Sequence, residues 1–255
     1  MRLGLLKLVA GVAIAFSMAS SAAAQNYEGW LLGATSMRQQ SDSDWKINLG
    51  AGVGFGPGFI GGSQGKAHFL PIVDIEWRGS VFASTQRGIG MNLFGNRQTV
   101  AGPRLTFDWG RNPTDDSALA NTTKVKASVE AGAFIIHYTG PWRIEADIKQ
   151  GLGSGHKGVR ANFRAALGGR LSEANTLIVG GGIHYTNSQY NVAYFGQKGN
   201  GFTGASLYAD IIREIGEGGY AGLNVRFDRL LGKANDAAFT KENQYYAGVY
   251  TGVRF

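Results

Sequence analysis

Apolar and polar side chains alternate along most of this chain, with the period of two that places successive residues on opposite faces of a β-strand. The segment 45–55 shows this most clearly, because apolar residues occupy every odd position and Lys, Asn or Gly every even one. The same alternation recurs in the segments 67–78, 142–149, 159–167, 220–228 and 245–255. A strand needs roughly 9–11 residues to cross a bilayer, so the pattern predicts antiparallel strands of membrane-spanning length.

Alternation alone does not tell which face of such a sheet is buried. A soluble β-sandwich turns its apolar face inward, whereas a transmembrane barrel turns it toward lipid. The last strand ends on Phe255, as strands do at the end of Gram-negative outer-membrane barrels. In that class the terminal aromatic strand resembles the signal that the barrel-assembly machinery reads. We therefore predict an all-β fold, an antiparallel transmembrane β-barrel.

The start of the chain has the pattern of a secretory signal peptide, Met1–Ala24. A basic start precedes an apolar run at 8–18, and small residues lead to a predicted cleavage after Ala24. The apolar run is too short for a membrane-spanning helix, and no later run of about 18 apolar residues occurs. We expect export to the outer membrane, an N-terminal segment at 25–44 and the barrel at 45–255.

Connection lengths predict the number of strands, because outer-membrane barrels have short periplasmic turns and longer external loops. The long connections are 55–65, 110–121, 151–157, 187–202 and 232–243, and the short ones fall near 95–97, Gly140, 169–173 and 216–218. For 55–65 to be external, residues 79–94 must form two short strands joined near Gln86 and Arg87. The prediction is about twelve strands, with ten as the alternative, and both termini in the periplasm.

Composition agrees with one large all-β domain. The 40 glycines disfavour helices, and only 5 prolines occur, which argues against a disordered low-complexity chain. The absence of cysteine excludes a disulfide framework and a lipid anchor on cysteine. The formal net charge of +7 includes Arg2 and Lys7, so +5 remains for residues 25–255. This moderate excess and the export signal disfavour a nucleic-acid partner.

Several short glycine-rich motifs follow one another along the chain. They are INLGAGVG at 47–54, PIVDIEWRG at 71–79, GIG at 88–90, GPR at 102–104, EAGAF at 130–134, GSGHKG at 153–158 and the stretch 190–196, before the terminal Phe255. No single motif is specific, but their order and the matching length resemble the MipA/OmpV family (MltA-interacting protein) over about residues 45–255. Residues 25–44 have no counterpart in the family pattern.

The resemblance implies an outer-membrane barrel with no enzymatic activity and no cofactor. The best-known member of the family is described as a scaffold that joins a murein-degrading lytic transglycosylase to a murein synthase, and others are linked to adhesion or to antibiotic and osmotic responses. A scaffold or envelope-organising protein is therefore expected. The resemblance implies those two enzymes as partners, beside outer-membrane lipid and the barrel-assembly machinery. It assigns no partner-binding residue.

Charged residues share the face opposite the apolar one, which a barrel turns toward its lumen. The candidate lumen-lining charges are Arg143, Glu145, Asp147, Lys149, Arg160, Arg164, Arg226 and Asp228. Two interpretations remain open. In the first, mutually neutralising ion pairs fill a narrow barrel, because unpaired buried charges are costly. In the second, the charges line a narrow channel for small polar solutes, and the basic excess favours anions. Twelve strands can enclose either arrangement.

Motifs for catalysis or metal binding are weak. The sequence at 153–158 has the dinucleotide-binding spacing G-x-G-x-x-G, but a strand pattern follows where that site needs a helix, so we predict a glycine-rich outer loop. A lipid hydrolase, the most distant alternative, would need a membrane-facing serine beside a histidine. Ser154 and His156 are close in sequence, but we expect His156 to be a solvated loop residue. His137 and His184 lie near strand ends, where an amphipathic ring suits the membrane interface. No catalytic, cofactor or metal residue is assigned.

Overall fold

The computed structural model describes residues 43–96 and 98–255. In that part of the chain the strands form one antiparallel sheet that closes on itself, so the predicted β-barrel is confirmed. The predicted signal peptide with its cleavage at Ala24, and all but the last two residues of the segment 25–44, lie outside the described residues. Within the described ranges, no helix has the length and apolar character needed to cross a membrane.

Strands make up most of the described chain. They are β1 (Trp45–Pro57), β2 (Gly65–Trp77), β3 (Val81–Ser84), β4 (Gly88–Met91), β5 (Phe94–Gly95), β6 (Thr99–Asp108), β7 (Ser128–Thr139), β8 (Trp142–Gly151), β9 (Val159–Arg170), β10 (Asn175–Thr186), β11 (Gly201–Ile215), β12 (Gly219–Leu230) and β13 (Asn243–Arg254). The loops contain the helices α1 (Ser188–Phe195) and α2 (Gly232–Asn235) and the 3-10 turns Pro113–Asp115 and Ser117–Leu119. Over the described residues, twelve strands build the wall and the two-residue β5 adds to its rim beside β6, which confirms the predicted count.

The wall closes at two places. β13 returns beside β1, with partners running from Asn48 opposite Arg254 to Phe55 opposite Ala247. On the other side β4 meets β6 over only two residue pairs, because β3 and β4 are four residues long. These are the two short strands that the loop lengths predict, joined by a turn at 85–87.

Where the short β3 ends, a threonine side chain forms hydrogen bonds with backbone groups of β2. The Thr85 hydroxyl donates to the carbonyl of Pro71 at 3.0 Å and accepts from the N–H of Val73 at 3.2 Å. Pro71 has no N–H to satisfy, which suits a strand edge. Pro71 is buried, although its side chain belongs to the outward set.

The two faces of the strands separate as predicted. Leu207 is 65% exposed, whereas the next residue, Tyr208, is 5% exposed, and other outward residues such as Phe55 and Val249 are also exposed. The apolar face therefore points out and the polar face in. Arg78 departs from the predicted strand 67–78, since it lies beyond β2 in a turn with φ 51° and pairs with Asp44 at 2.9 Å.

Glycines on the inner face make room for tyrosine rings from the neighbouring strand. The pairs are Gly180 with Tyr208, Gly222 with Tyr250, and Gly252 with Tyr220. A Cβ atom added at Gly222 would lie 2.6 Å from Cε2 of Tyr250, so a side chain there would displace the ring. These tyrosines form one buried cluster with Ile72, Ala166, Ile178 and Ile212. The cluster fills the half of the interior nearer the short turns.

Candidate functional site: the charged interior of the barrel

Buried ion pairs converge on two carboxylates of β8. Arg143 contacts Glu145 at 2.6 Å, and Arg164 of β9 contacts Asp147 at 2.9 Å. Arg104 of β6 contacts Asp147 at 3.0 Å. Arg104 and Arg164 also reach Glu145, at 3.4 and 3.2 Å. All five side chains are buried, so they form a desolvated cluster of ion pairs and not a solvated charged patch.

Strand register explains this arrangement. Glu145 lies directly opposite Arg164, and Asp147 lies opposite Asn162, whose amide donates to the carboxylate at 2.9 Å. Opposite charges facing each other across an antiparallel pair stabilise the sheet. Lys149 of β8, however, faces Arg160 of β9, and two like charges at facing positions destabilise it.

Glu130 of β7 offsets the repulsion between Lys149 and Arg160. Its carboxylate lies 2.6 Å from both Nε and Nη2 of Arg160 and 3.9 Å from Nζ of Lys149. The Thr106 hydroxyl donates to it at 2.8 Å. Glu130 is not among the candidates from the sequence, because it stands alone in a motif of glycine and alanine. The alternation along β7, which places Glu130 on the inner face, could have identified it.

The predicted lumen charges do not form one group. On β8 and β9, the cations Arg143, Lys149 and Arg164 contact Glu145 or Asp147, and Arg160 contacts Glu130 instead. Arg226 and Asp228 form a separate pair on β12, at 2.6 Å. A further pair lies on the first strands: Arg87, from the turn between β3 and β4, lies 2.5 Å from Asp74 of β2, which alternation also places on the inner face.

Solvent reaches little of this charged interior. Lys149 is 2% exposed and Glu130 is 0% exposed, although both are charged. A water-filled pore would leave the charges along its wall accessible. Their burial favours an interior filled by ion pairs over an open channel.

A cluster of loop residues covers the barrel at the end opposite the short turns. This loop plug consists of Val125, Tyr190, Tyr194, Phe195, Leu230, Ala234 and Ala237. Its centre is α1, which starts where Asn187 accepts the N–H of Tyr190 at 3.1 Å and ends at Gly196 with φ 68°. The rings of Tyr190 and Tyr194 stack with centroids 4.6 Å apart. The loops predicted at 110–121, 187–202 and 232–243 thus meet over the interior.

Tyr194 and Arg111 connect the loop plug to the barrel. The Tyr194 hydroxyl donates to the Asp108 carboxylate at the end of β6, and the Arg111 guanidinium donates to the Tyr194 carbonyl. Arg111 also lies over the ring of Phe239, 4.9 Å from its centroid. Burial and the nearby Asp108 raise the pKa of the Tyr194 hydroxyl well above its ordinary value, and burial lowers the pKa of Arg111. The phenol therefore stays protonated and keeps donating at ordinary pH.

The expectation that His156 is a solvated loop residue is wrong. Its side chain is fully buried, because the loop between β8 and β9 folds inward under the loop plug. The ring packs edge-on against Tyr190, with centroids 4.9 Å apart. Gly151 makes this possible, since a Cβ atom there would lie 2.8 Å from Nδ1 of His156.

Asp108, Glu130 and His156 present ligand atoms that lie within 4.8 Å of one another, close enough to hold one metal ion. The hydrogen bonds argue against that use. The N–H of Gly158 donates to Nδ1 of His156 at 3.0 Å, so in the neutral ring the proton sits on Nε2, the atom that would have to bind the metal. Arg160 already neutralises Glu130. The three residues therefore fit the ion-pair network better than a cation site.

The remaining strand histidines make polar contacts of their own. His137 Nδ1 lies 2.8 Å from Oγ1 of Thr99. His184 Nδ1 lies 2.7 Å from Oδ1 of Asn162, and its Nε2 lies 3.3 Å from Oγ of Ser206. Asn162 and Ser206 are buried on the inner face, so His184 points inward and not toward the membrane interface as expected. This serine–histidine pair is not the membrane-facing pair that a lipid hydrolase would need.

The family described as MltA-interacting protein MipA matches residues 49–255. The chain belongs to the MipA family. This confirms the resemblance that its glycine-rich motifs indicate, and it places the barrel in the outer membrane. No curated protein matches this MipA-family chain.

Several solved structures are similar in fold to this MipA-family barrel. In-vitro folded OmpT of Vibrio cholerae has a TM-score of 0.41 and 8% identity, covering 85% of this chain and 99% of that chain. The NanC porin has a TM-score of 0.42 and 8% identity, covering 80% and 98%. An outer membrane channel from Pseudomonas putida F1 has a TM-score of 0.41 and 10% identity, covering 86% and 100%. Likenesses this weak carry no argument about what the chain binds or transports.

Proposed function

We propose that this MipA-family barrel is a non-enzymatic scaffold that binds a lytic transglycosylase of the MltA kind and organises enzymes of murein synthesis and turnover around it. The filled interior carries this proposal. Buried ion pairs and tyrosine rings occupy the space that a channel would need, so the outer surface is left for function. The family description supports the choice of partner.

The connection between β4 and β6 offers a surface for such a partner. Leu93 is 59% exposed and Phe94 is 75% exposed, at the end of the barrel that carries the short turns. Leu171, in the turn between β9 and β10 at the same end, is 61% exposed. We take these residues as the candidate contact surface, because a contiguous exposed apolar patch marks an interaction site. With the long loops outside the cell, this end faces the periplasm, where murein enzymes act.

Two further partners belong to the same proposal. Outer-membrane lipid would cover the apolar outward face, and the barrel-assembly machinery would recognise the last strand with Phe255. The proposal also assigns residues 25–44, which would follow the removed signal peptide, a part in binding the partner.

A binding measurement tests the scaffold. The barrel is placed in lipid nanodiscs, and the soluble domain of an MltA-type lytic transglycosylase is titrated onto it by interferometry. We expect saturable binding that Leu93→Ser with Phe94→Ser weakens about tenfold, equivalent to about 1.4 kcal/mol. Val192→Ser is the matched control, because Val192 is 46% exposed but lies on α1, at the other end of the barrel. Wild-type barrel that binds no transglycosylase would overturn the proposal.

Single-channel recording separates the scaffold from the alternative, a narrow channel for small polar or anionic solutes. A filled interior predicts an electrically silent barrel in a planar bilayer. Discrete, salt-dependent steps that weaken when Arg143, Arg160 and Arg226 are neutralised would favour the channel.

A further inference from the structure

The short strands β4 and β5 are one strand interrupted by a β-bulge, because both lie antiparallel to β6. Gly90 of β4 faces Arg104, and Phe94 of β5 faces Ala101. Three residues lie between these two pairs on the side of β4 and β5, and only two lie between them on β6. One extra residue against the partner strand defines a β-bulge, which redirects side chains and occurs often beside functional sites.

The bulge places two successive apolar side chains at the surface. Leu93 is 59% exposed, and the next residue, Phe94, is 75% exposed. In an unbroken strand, successive side chains point to opposite faces, so Phe94 would point inward beside an exposed Leu93. The extra residue interrupts this alternation and leaves both side chains outside. The candidate contact surface of the scaffold therefore depends on the bulge.

Gly102 of β6 lies where the backbone of the bulge passes. A Cβ atom added there would lie 2.9 Å from the carbonyl carbon of Met91 and 3.1 Å from the backbone nitrogen of Leu93, and it would overlap the Met91 carbonyl oxygen. Any side chain at this position would therefore push the bulge away from β6. The next residue, Pro103, has no N–H to offer to a facing strand, and bulges are among the few places where a sheet accepts proline.

Few backbone pairs hold this part of the wall closed. β4 faces β6 over two residue pairs, whereas β1 faces β13, at the other closure, over eight. Asn92 ties the bulge to the turn between β2 and β3, since its backbone N–H donates to the Ser80 carbonyl and its amide nitrogen to the Gly79 carbonyl, both at 2.7 Å. Segments with few contacts open locally at a lower free energy than the rest of a fold. The seam between β4 and β6 is therefore the part of the wall that opens most easily.

We propose that Gly102 is the positioning residue of the partner surface, and that Leu93 and Phe94 form this surface only while the bulge lies on β6. The inference rests on the proposed scaffold function and adds its regulation, because partner binding and closure of the seam stabilise each other. A partner that binds only the closed seam shifts the seam toward closure. A change that opens the seam lowers the apparent affinity in proportion to the closed fraction that is lost.

Amide hydrogen exchange of the barrel in lipid nanodiscs tests the seam. In the free wild-type barrel, the amides of residues 88–94 are expected to exchange faster than those of β13. Addition of the soluble domain of an MltA-type lytic transglycosylase should slow exchange in residues 88–94 and leave exchange in β13 unchanged. The exchange of the free barrel does not depend on the partner, so it tests the seam separately from the scaffold.

Binding by Gly102→Ala tests the positioning role. Measured by interferometry on the folded barrel, this variant should bind the transglycosylase about tenfold more weakly, as it would if the surface were formed in about a tenth of the molecules. Gly169→Ala, which adds a Cβ atom with no other atom within 4 Å, is the matched control and binds like the wild type. A merely structural role for Gly102 would lower the urea midpoint and leave binding by the folded barrel unchanged.

A disulfide across the seam keeps the test decisive even if Gly102→Ala does not fold. Ile89 and Leu105 face each other, and facing residues of antiparallel strands are close enough for a disulfide. Ile89→Cys with Leu105→Cys should bind the transglycosylase at least as tightly when oxidised as the same barrel does after reduction. Weaker binding by the oxidised form would overturn the inference.

The remaining outcomes separate this inference from the scaffold on which it rests. A wild-type barrel that binds no transglycosylase overturns the scaffold itself. A wild-type barrel that binds, together with folded Gly102→Ala that binds equally well, overturns only the positioning role. Residues 88–94 that exchange no faster than β13 in the free barrel overturn the seam, and the scaffold then stands without it.

Discussion

Glu130→Gln is the sharpest perturbation of the charged interior. The substitution keeps the shape of the side chain and can still accept from Thr106, so it removes charge and little else. Its direct partners are Arg160, which holds the carboxylate through two contacts of 2.6 Å, His156, whose Nε2 lies at 3.3 Å, and Lys149 at 3.9 Å. Lys149 and Arg160 face each other across β8 and β9. After the change their charges are offset by Asp147 and Asp108, each at 4.0 Å, and no longer by the close carboxylate of Glu130.

The expected cost follows from the count of charges. Among the described residues, the cluster around β8 contains five cations and four carboxylates, namely Arg104, Arg143, Lys149, Arg160, Arg164, Asp108, Glu130, Glu145 and Asp147. Its net charge of +1 becomes +2 in the variant. Removing one partner of a buried pair strands the other charge and costs about 3–5 kcal/mol. We expect a loss of unfolding free energy of that size.

Urea unfolding of the barrel in detergent, followed by circular dichroism and by heat-dependent migration on gels, measures this loss. Glu214→Gln is the matched control, because its pair with Arg254 has the same kind of contact at 2.8 Å but Glu214 is 42% exposed, so the cost is below about 1 kcal/mol. Adding Arg160→Met to Glu130→Gln removes the stranded cation and should recover part of the loss. If Glu130→Gln costs no more than Glu214→Gln, the interior is hydrated and the reasoning fails.

Three further outcomes follow from the structure. Gly222→Val should lower the urea midpoint, at a cost of about 1–3 kcal/mol, because it displaces the ring of Tyr250, whereas Gly169→Ala, with no atom within 4 Å, should leave the midpoint unchanged. The unfolding free energy should fall as pH rises above about 10, because the raised pKa of Tyr194 makes the folded state hold a proton that the unfolded state releases. Tyr194→Phe should make this slope shallower, and equal slopes in the two proteins between about pH 9 and 11 would contradict the assignment. Arg111→Met should loosen the loop plug and speed cleavage of the external loops by chymotrypsin, with an unchanged rate refuting its role.

Much of the fold could be predicted because the strands of a barrel follow from patterns that are local in the sequence. Alternation gives the two faces of each strand, and the lengths of turns and loops give the count, including the four-residue strands β3 and β4. The same alternation identified the inward charges of β8 and β9. That prediction did not depend on knowing which strands are neighbours.

The contacts within the charged interior, in contrast, depend on which strands are neighbours and on their register. Glu130 becomes the partner of Arg160 only because β7 lies on the other side of β8, and the register of β8 against β9 decides that Lys149 faces Arg160. The conformation of the loop between β8 and β9 could not be predicted either. His156 looks solvated in the sequence, and its burial depends on the close approach that Gly151 allows. The row of Asn162, His184 and Ser206 likewise exists only once three strands are in register.

Different substitutions should therefore affect the stability of this barrel and its binding to a partner. The ion pairs of the interior hold neighbouring strands together, so a change such as Glu130→Gln lowers stability and leaves the periplasmic surface of the folded fraction as it was. Leu93 and Phe94 are exposed, and surface substitutions of this kind usually change stability by about 0.5 kcal/mol or less. Their replacement should weaken a partner without unfolding the barrel. If Glu130→Gln weakened transglycosylase binding by the folded barrel as much as Leu93→Ser with Phe94→Ser does, the partner would have to sense the interior, and a scaffold that acts only through its turns would be excluded.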